Sequence, residues 1–222
     1  MELLHSLWAL FVALLDIAMH LDVHLQELIA QYQTGIYAIL FLIVFVETGV
    51  VIWPFLPGDS LLFVGGTLAA AGDMDIATLM VVLIAAALTG DNVNYWIGRK
   101  IGPKIFQRER SRWFNPAYLT RAHEFYERHG GKTIILARFM PIIRTYAPFV
   151  AGIGAMPYLR YLSYCIVAAV LWVVSLCLTG YFFGNIPIVK QNLSIVIVLI
   201  VLVSISPGVF AWLKSRRKRS AP

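Results

Sequence analysis

Four charged side chains stand in stretches of chain that are otherwise apolar. Glu47 and Asp59 flank a backbone break marked by Pro54, Pro57 and Gly58; Arg138 and Arg144 flank a second at Pro141, with Pro148 and Gly152 just beyond it. Each such charge facing lipid would cost about 2.5–3.5 kcal/mol on insertion scales. All four must therefore be compensated by pairing, by water or by protonation. Non-helical backbone at that depth is tolerated only inside protein or beside water, so both requirements predict a wet, polar cavity between the breaks. A carboxylate whose proton affinity is pulled one way by burial and the other way by a guanidinium can exchange protons near working pH. An arginine stays charged and offers a planar fork that matches phosphate or carboxylate oxygens. Helix N-termini at Pro141 and Pro148 would add positive potential.

A plainer reading makes the acids and arginines simple buried salt bridges. Ion pairs alone would not require broken helices, and apolar side chains would often serve as well. Asp91, close to Arg99, fits a cap or a surface pair as well as it fits a role in transport. Asp16, His20 and His24 recur every four residues and could in principle ligate a metal, but no fourth ligand accompanies them. They read as the wet face of a helix, and neither metal nor cofactor is expected. Cys165 and Cys177, twelve residues apart in one apolar run, are too distant along a helix to bridge and read as small core residues. There is no Gly-x-Ser-x-Gly, His-Glu-x-x-His or phosphate-binding Gly-x-x-x-x-Gly-Lys-Ser/Thr signature, so an enzyme is not expected.

The elements that must hold these residues belong in a membrane. Hydrophobic residues make up 59% of the 222-residue chain and charged residues 14%, against about 25% charged in an ordinary soluble domain. Mean hydropathy is +0.76. Those values exclude disorder, a coiled coil and a secreted disulfide scaffold. The net charge of +6 is unevenly spread. Residues 1–98 hold nine of the twelve acids and no Lys or Arg, whereas nine of the eighteen basic residues fall between Arg99 and Lys132 and five more between Lys214 and Arg219. Both basic clusters follow apolar runs, so retention on the cytoplasmic side explains them better than nucleic acid does. Met1-Glu2 opens without a basic stretch, so a cleaved signal peptide is not expected.

Residues 1–31 read as an amphipathic segment lying in the interface, and 32–213 as the transmembrane domain. Thr34–Ile52 is long enough to cross a core of about 30 Å. Leu61–Ala71 amounts to half a crossing, Gly72–Asp75 is a polar turn, and Ile76–Ile97 can span. A basic stretch occupies 99–132, Thr133–Pro157 is long but broken, and Tyr161–Phe183 and 192–213 are plain spans before a basic tail at 214–222. Tyr95, Trp96, Tyr158, Tyr161, Trp53 and Trp212 near span ends read as interfacial anchors. If the tail is cytoplasmic, parity makes Thr133–Pro157 enter and leave on the inner face and Pro54–Ala71 on the outer. A weak internal repeat agrees: Phe55-Leu56-Pro57 resembles Phe139-Met140-Pro141 and Tyr95–Gly98 resembles Tyr181–Gly184, at offsets of 84 and 86 residues. The expected fold is an all-α polytopic membrane protein, an inverted repeat of two units (about 45–98 and 133–184), each a re-entrant hairpin followed by a transmembrane helix, the two hairpins opposed. Such repeats with broken helices point to a transporter site near the midplane.

Three longer motifs carry a family resemblance. Glu47-Thr48-Gly49 with Phe55-Leu56-Pro57-Gly58-Asp59-Ser60-Leu61-Leu62, then Gly90-Asp91-Asn92-Val93-Asn94-Tyr95-Trp96-Ile97-Gly98-Arg99, then His129–Lys132 through Ala137-Arg138-Phe139-Met140-Pro141-Ile142-Ile143-Arg144-Thr145 and Pro148–Gly152 occur in order. Over about residues 30–185 the chain resembles the DedA family, also called the SNARE-associated or VTT-domain family. The resemblance implies a multi-pass bacterial inner-membrane protein linked to lipid translocation, undecaprenyl phosphate recycling and the proton motive force. It maps the family's acidic pair onto Glu47 and Asp59 and its arginine pair onto Arg138 and Arg144. The expected function is flipping or scrambling of a phosphate-headed lipid, with the arginines on the headgroup and the acids on protons. The alternative is a proton-coupled antiporter of small cations or drugs. Expected partners are an anionic phospholipid, protons and the membrane, not nucleic acid, and a homo-oligomer is left open.

Overall fold

A computed structural model describes residues 31–49, 58–106 and 131–184 continuously, with single residues beside them at 25, 28, 186, 187, 189, 195, 196 and 199. The expected N-terminal interfacial segment with Asp16, His20 and His24, the breaks at Pro54 and Pro57, most of the basic stretch, the final span and the tail lie outside the described residues. Every regular element among the described residues is helical. A 3-10 turn at Gln33–Gly35 leads into α1 (Ile36–Gly49), followed by α2 (Gly58–Ala71), α3 (Ile76–Phe106), α4 (Lys132–Arg138), α5 (Pro141–Ile153) and α6 (Tyr158–Phe183).

Length separates these helices into two kinds. Ile76–Ile101 and Tyr158–Phe183 are apolar stretches of 26 residues, about 39 Å of helix, which is more than a bilayer core. Helices α1 and α2 have 14 residues each, about 21 Å, and α5 has 13. The polar run Asp91–Asn94, expected near the end of a span, lies in mid-helix because α3 continues to Phe106.

Local signals account for the ends. Asp75 accepts the Thr78 backbone N–H at 2.7 Å and so caps α3. Hydrogen bonds from Thr78 hold its carboxyl below the usual range, the side-chain bond contributing most. Gly72 takes φ +94 and closes α2 with Gly72 N–H on Ala69 O and Asp73 N–H on Leu68 O, the left-handed closure that glycine adopts without strain. Helix α5 ends in the same way at Ala155, with φ 53 and Met156 N–H on Ala151 O. Between α4 and α5, Met140 is extended (φ −119, ψ 105) because Pro141 follows it and opens α5. Pro148 and Gly152 do not break the chain as expected: α5 runs through both. The carbonyl that the Pro148 ring leaves without its helical donor is that of Arg144.

Packing pairs helices that are distant along the chain. Helix α2 packs on α6, while α5 packs on α3, and α3 also packs along α1. The α2–α6 and α3–α5 crossings are glycine contacts. A Cβ on Gly66 would meet the Cys177 carbonyl and one on Gly180 that of Phe63; likewise Gly98 meets Phe149 O and Gly152 meets Tyr95 O. With no hydrophobic driving force between helices in lipid, such close backbone approach supplies the packing. Tyr95 and Tyr161 are wholly buried, stacked with ring centroids 4.3 Å apart. They are therefore core residues, and the expectation of interfacial anchors is corrected for both. Cys165 and Cys177 are free and buried, as their spacing required.

Candidate functional site

Each half of the broken chain brings its charges to the centre through helix ends. Glu47 sits in the last turn of α1 and is 1% exposed. Gly58 opens α2 against it, and a Cβ there would displace the Glu47 carboxylate from its present position. Asp59 follows in the first turn of α2. Arg138 is the last residue of α4, and Arg144 lies in the first turn of α5 beyond the Pro141 break. Arg138 and Arg144 are only 4% and 5% exposed.

The pairing divides these residues into two clusters. In the first, Arg144 donates from Nη2 to Glu47 Oε1 and from Nη1 to Asp59 Oδ1, so one guanidinium faces two carboxylates. In the second, Arg138 Nη1 donates to Asp91 Oδ2. Asp91 is 2% exposed in mid-α3, which corrects its reading as a cap or surface partner of Arg99. Arg99 instead reaches the Tyr95 hydroxyl at 3.4 Å. The Cys165 thiol, at 3.3 Å, also meets Asp91 Oδ2, and the Tyr161 hydroxyl donates to the Asp91 carbonyl at 2.9 Å. Among the described residues the charges meet one another and not an open chamber, and Asp59, whose side chain is 14% exposed, is the most open of the five.

Trp172 of α6 touches both clusters. Its indole N–H donates to Asp59 Oδ1 at 2.8 Å, and the guanidinium carbons of Arg138 and Arg144 lie 4.6 and 4.7 Å from its ring centroid. Asn94 of α3 ties the frame together by donating to Thr48 O at 3.2 Å and Thr145 O at 2.7 Å, bridging α1 and α5. Trp172, Asn94, Tyr161 and Cys165 were not among the residues expected from sequence. One signal was present: Trp172 stands midway along an apolar span, where a tryptophan has no interface to anchor it.

Pairing leaves donors over. Among the described residues, Arg138 Nε and Nη2 are buried and meet no acceptor, as is Arg144 Nε; Glu47 Oε2 and Asp91 Oδ1 meet no donor. On Arg138 the two unpaired nitrogens form one edge of the guanidinium, the edge that binds two oxygens of a carboxylate or phosphate side by side. Three carboxylates against two guanidiniums also leave one acid in excess of the arginines.

The arrangement is that of an all-helical membrane protein with a buried charge cluster among its helices, and comparison with known proteins specifies the family. The VTT domain model matches residues 56–182. Protein DedA of Escherichia coli K12 is 53% identical over 206 residues, covering 92% of this chain and 94% of the relative. An uncharacterised membrane protein of Mycobacterium leprae is 47% identical over 178 residues, 80% of each chain. The inner membrane protein YqjA of Escherichia coli K12 is 35% identical over 156 residues, covering 69% and 70%. No solved structure matches. The chain belongs to the VTT-domain, or DedA, family of membrane proteins.

Proposed function

We propose that this protein is a transporter of the bacterial inner membrane that moves a phosphate-headed lipid, such as undecaprenyl phosphate, from one leaflet to the other with the proton motive force linked to its cycle. The observation that carries the proposal is the unpaired Nε/Nη2 edge of Arg138, buried where an anion is the natural acceptor. In this reading the closed cluster is one end of the cycle. Protonation of Glu47 or Asp59 weakens their hold on Arg144, the helix ends separate, and the headgroup enters between Arg138 and Arg144 while the acyl tail stays in lipid. Deprotonation then restores the Arg144 pairs and expels the anion. Asp91 keeps Arg138 fixed throughout. The lengths of α2, α4 and α5 support two re-entrant hairpins of opposite orientation, α2 entering from outside and α4–α5 from inside. That topology leaves the basic stretch and the C-terminus in the cytoplasm, and the expected division into repeats at about 45–98 and 133–184 goes with it.

The test is flipping of a labelled phosphate-headed lipid by the full chain in liposomes, with and without a proton gradient. Arg138→Ala and Arg144→Ala are expected to abolish flipping when rates are compared per folded molecule; normal rates in both would remove the arginines from the mechanism. The excess of one carboxylate favours a second reading, a proton-coupled antiporter in which the acids bind a small cation. It predicts cation-driven proton flux, and no such flux across a broad pH range would eliminate it.

A further inference from the structure

We propose that Trp172 is a positioning residue of the same site, holding both guanidinium groups over its ring so that the Nε/Nη2 edge of Arg138 remains free for an anion. The inference rests on the lipid reading above and adds a residue to it. Trp172 is 1% exposed and the largest wholly buried side chain among the described residues, so packing alone is the competing explanation. Two features go beyond packing. The indole N–H donates to a titratable carboxylate, Asp59. Two cations also lie within 5 Å of one ring centroid, inside the ~6 Å over which a ring attracts a cation.

The chemistry explains why a ring suits this place. A further carboxylate touching either arginine would occupy its hydrogens and compete with any incoming anion. An aromatic face attracts the cation through its quadrupole and takes none of the in-plane N–H groups. Arg138 illustrates the result: it is held by Asp91 at Nη1 and by the Trp172 ring, and its Nε/Nη2 edge is unspent. On Arg144 the same ring supports a guanidinium whose two ends are committed to Glu47 and Asp59. Trp172 thus links the carboxylate that releases Arg144 to the arginine that receives the headgroup.

Trp172→Phe keeps a ring and removes the N–H; Trp172→Leu removes both. With labelled phosphate-headed lipid and the full chain in liposomes, Trp172→Phe is expected to lower the maximal rate several-fold at an unchanged apparent KM. Trp172→Leu is expected to raise the apparent KM by about ten- to thirty-fold or more, since the face contacts are lost. A thermal-unfolding cycle of Trp172→Phe with Asp59→Ala in detergent reads the Trp172–Asp59 pairing without any transport. The double variant is expected to unfold no lower than the worse single variant. Additive losses in that cycle, or wild-type rate and KM per folded molecule in both Trp172 variants, overturn the proposal and return Trp172 to packing. If the wild-type chain itself flips no phosphate-headed lipid, the lipid reading fails and the unfolding cycle alone decides the role of Trp172.

Discussion

Removing Asp91 isolates the architectural half of the charge cluster. Its carboxylate and Arg138 are paired with side-chain exposures of 3% and 4%, so neither can turn to water when the other is lost. Asp91→Ala leaves a guanidinium buried with only the Trp172 face beneath it. Breaking one partner out of a buried pair costs about 3–5 kcal/mol, because the remaining charge is uncompensated. At 1.4 kcal/mol per factor of ten, that lowers the folded-to-unfolded ratio by roughly two to three and a half orders of magnitude. Removing the second charge as well should recover most of it: replacing a buried pair by apolar side chains of similar volume is often neutral or stabilising. The Asp91→Leu/Arg138→Met double variant should therefore unfold in detergent near the wild-type temperature, well above Asp91→Ala. It should nonetheless flip no phosphate-headed lipid, having lost the guanidinium edge. An Asp91→Ala protein as stable as wild type would refute the inference that the Arg138 charge cannot stay buried without its partner. Normal flipping by the stable double variant would refute the role of Arg138.

Arg138→Lys keeps the charge and loses the two-nitrogen edge; flipping should fall at least ten-fold with the protein still folded, and a retained rate would reduce the site to simple electrostatics. Gly66→Ala drives a Cβ into the Cys177 carbonyl at the α2–α6 crossing, an overpacking that should cost about 1–3 kcal/mol and appear as a lowered unfolding temperature in detergent. The Asp75 cap is stronger with the carboxylate ionised, since Thr78 holds it below the usual range. Its contribution is full above the ordinary carboxylate pKa and is lost as pH falls through the lowered value. Asp75→Asn should flatten that acid-side loss in thermal unfolding followed from pH 5 downward, and an unchanged acid limb would exclude the cap as its source.

Composition and charge spacing were enough to place this chain in a membrane, to find the break at Pro141 and to single out Glu47, Asp59, Arg138 and Arg144 as charges that must be compensated. An ionisable residue inside an apolar run is costly enough to stand out without any coordinates. The glycine–proline punctuation was read correctly where it ends a helix and wrongly where it does not. Pro141 follows a residue that can become extended, and α5 begins there. Pro148 breaks nothing, because a helix packed along α3 keeps its course despite one missing hydrogen bond.

Which acid meets which arginine was decided only by the tertiary structure. Charge type and sequence spacing permit Arg138 to pair with Glu47 or Asp59 as readily as with Asp91. The packing of α2 on α6 and α5 on α3 selects one arrangement, bringing Arg144 to the first two acids and Arg138 to Asp91. The same packing carries Trp172, unremarkable within its own helix, to a point between two cations contributed by residues 138 and 144. Local sequence sets what each helix can bury and where it must stop. The identity of the neighbours comes from glycine contacts between elements far apart in the chain, and no periodicity within a single helix encodes that.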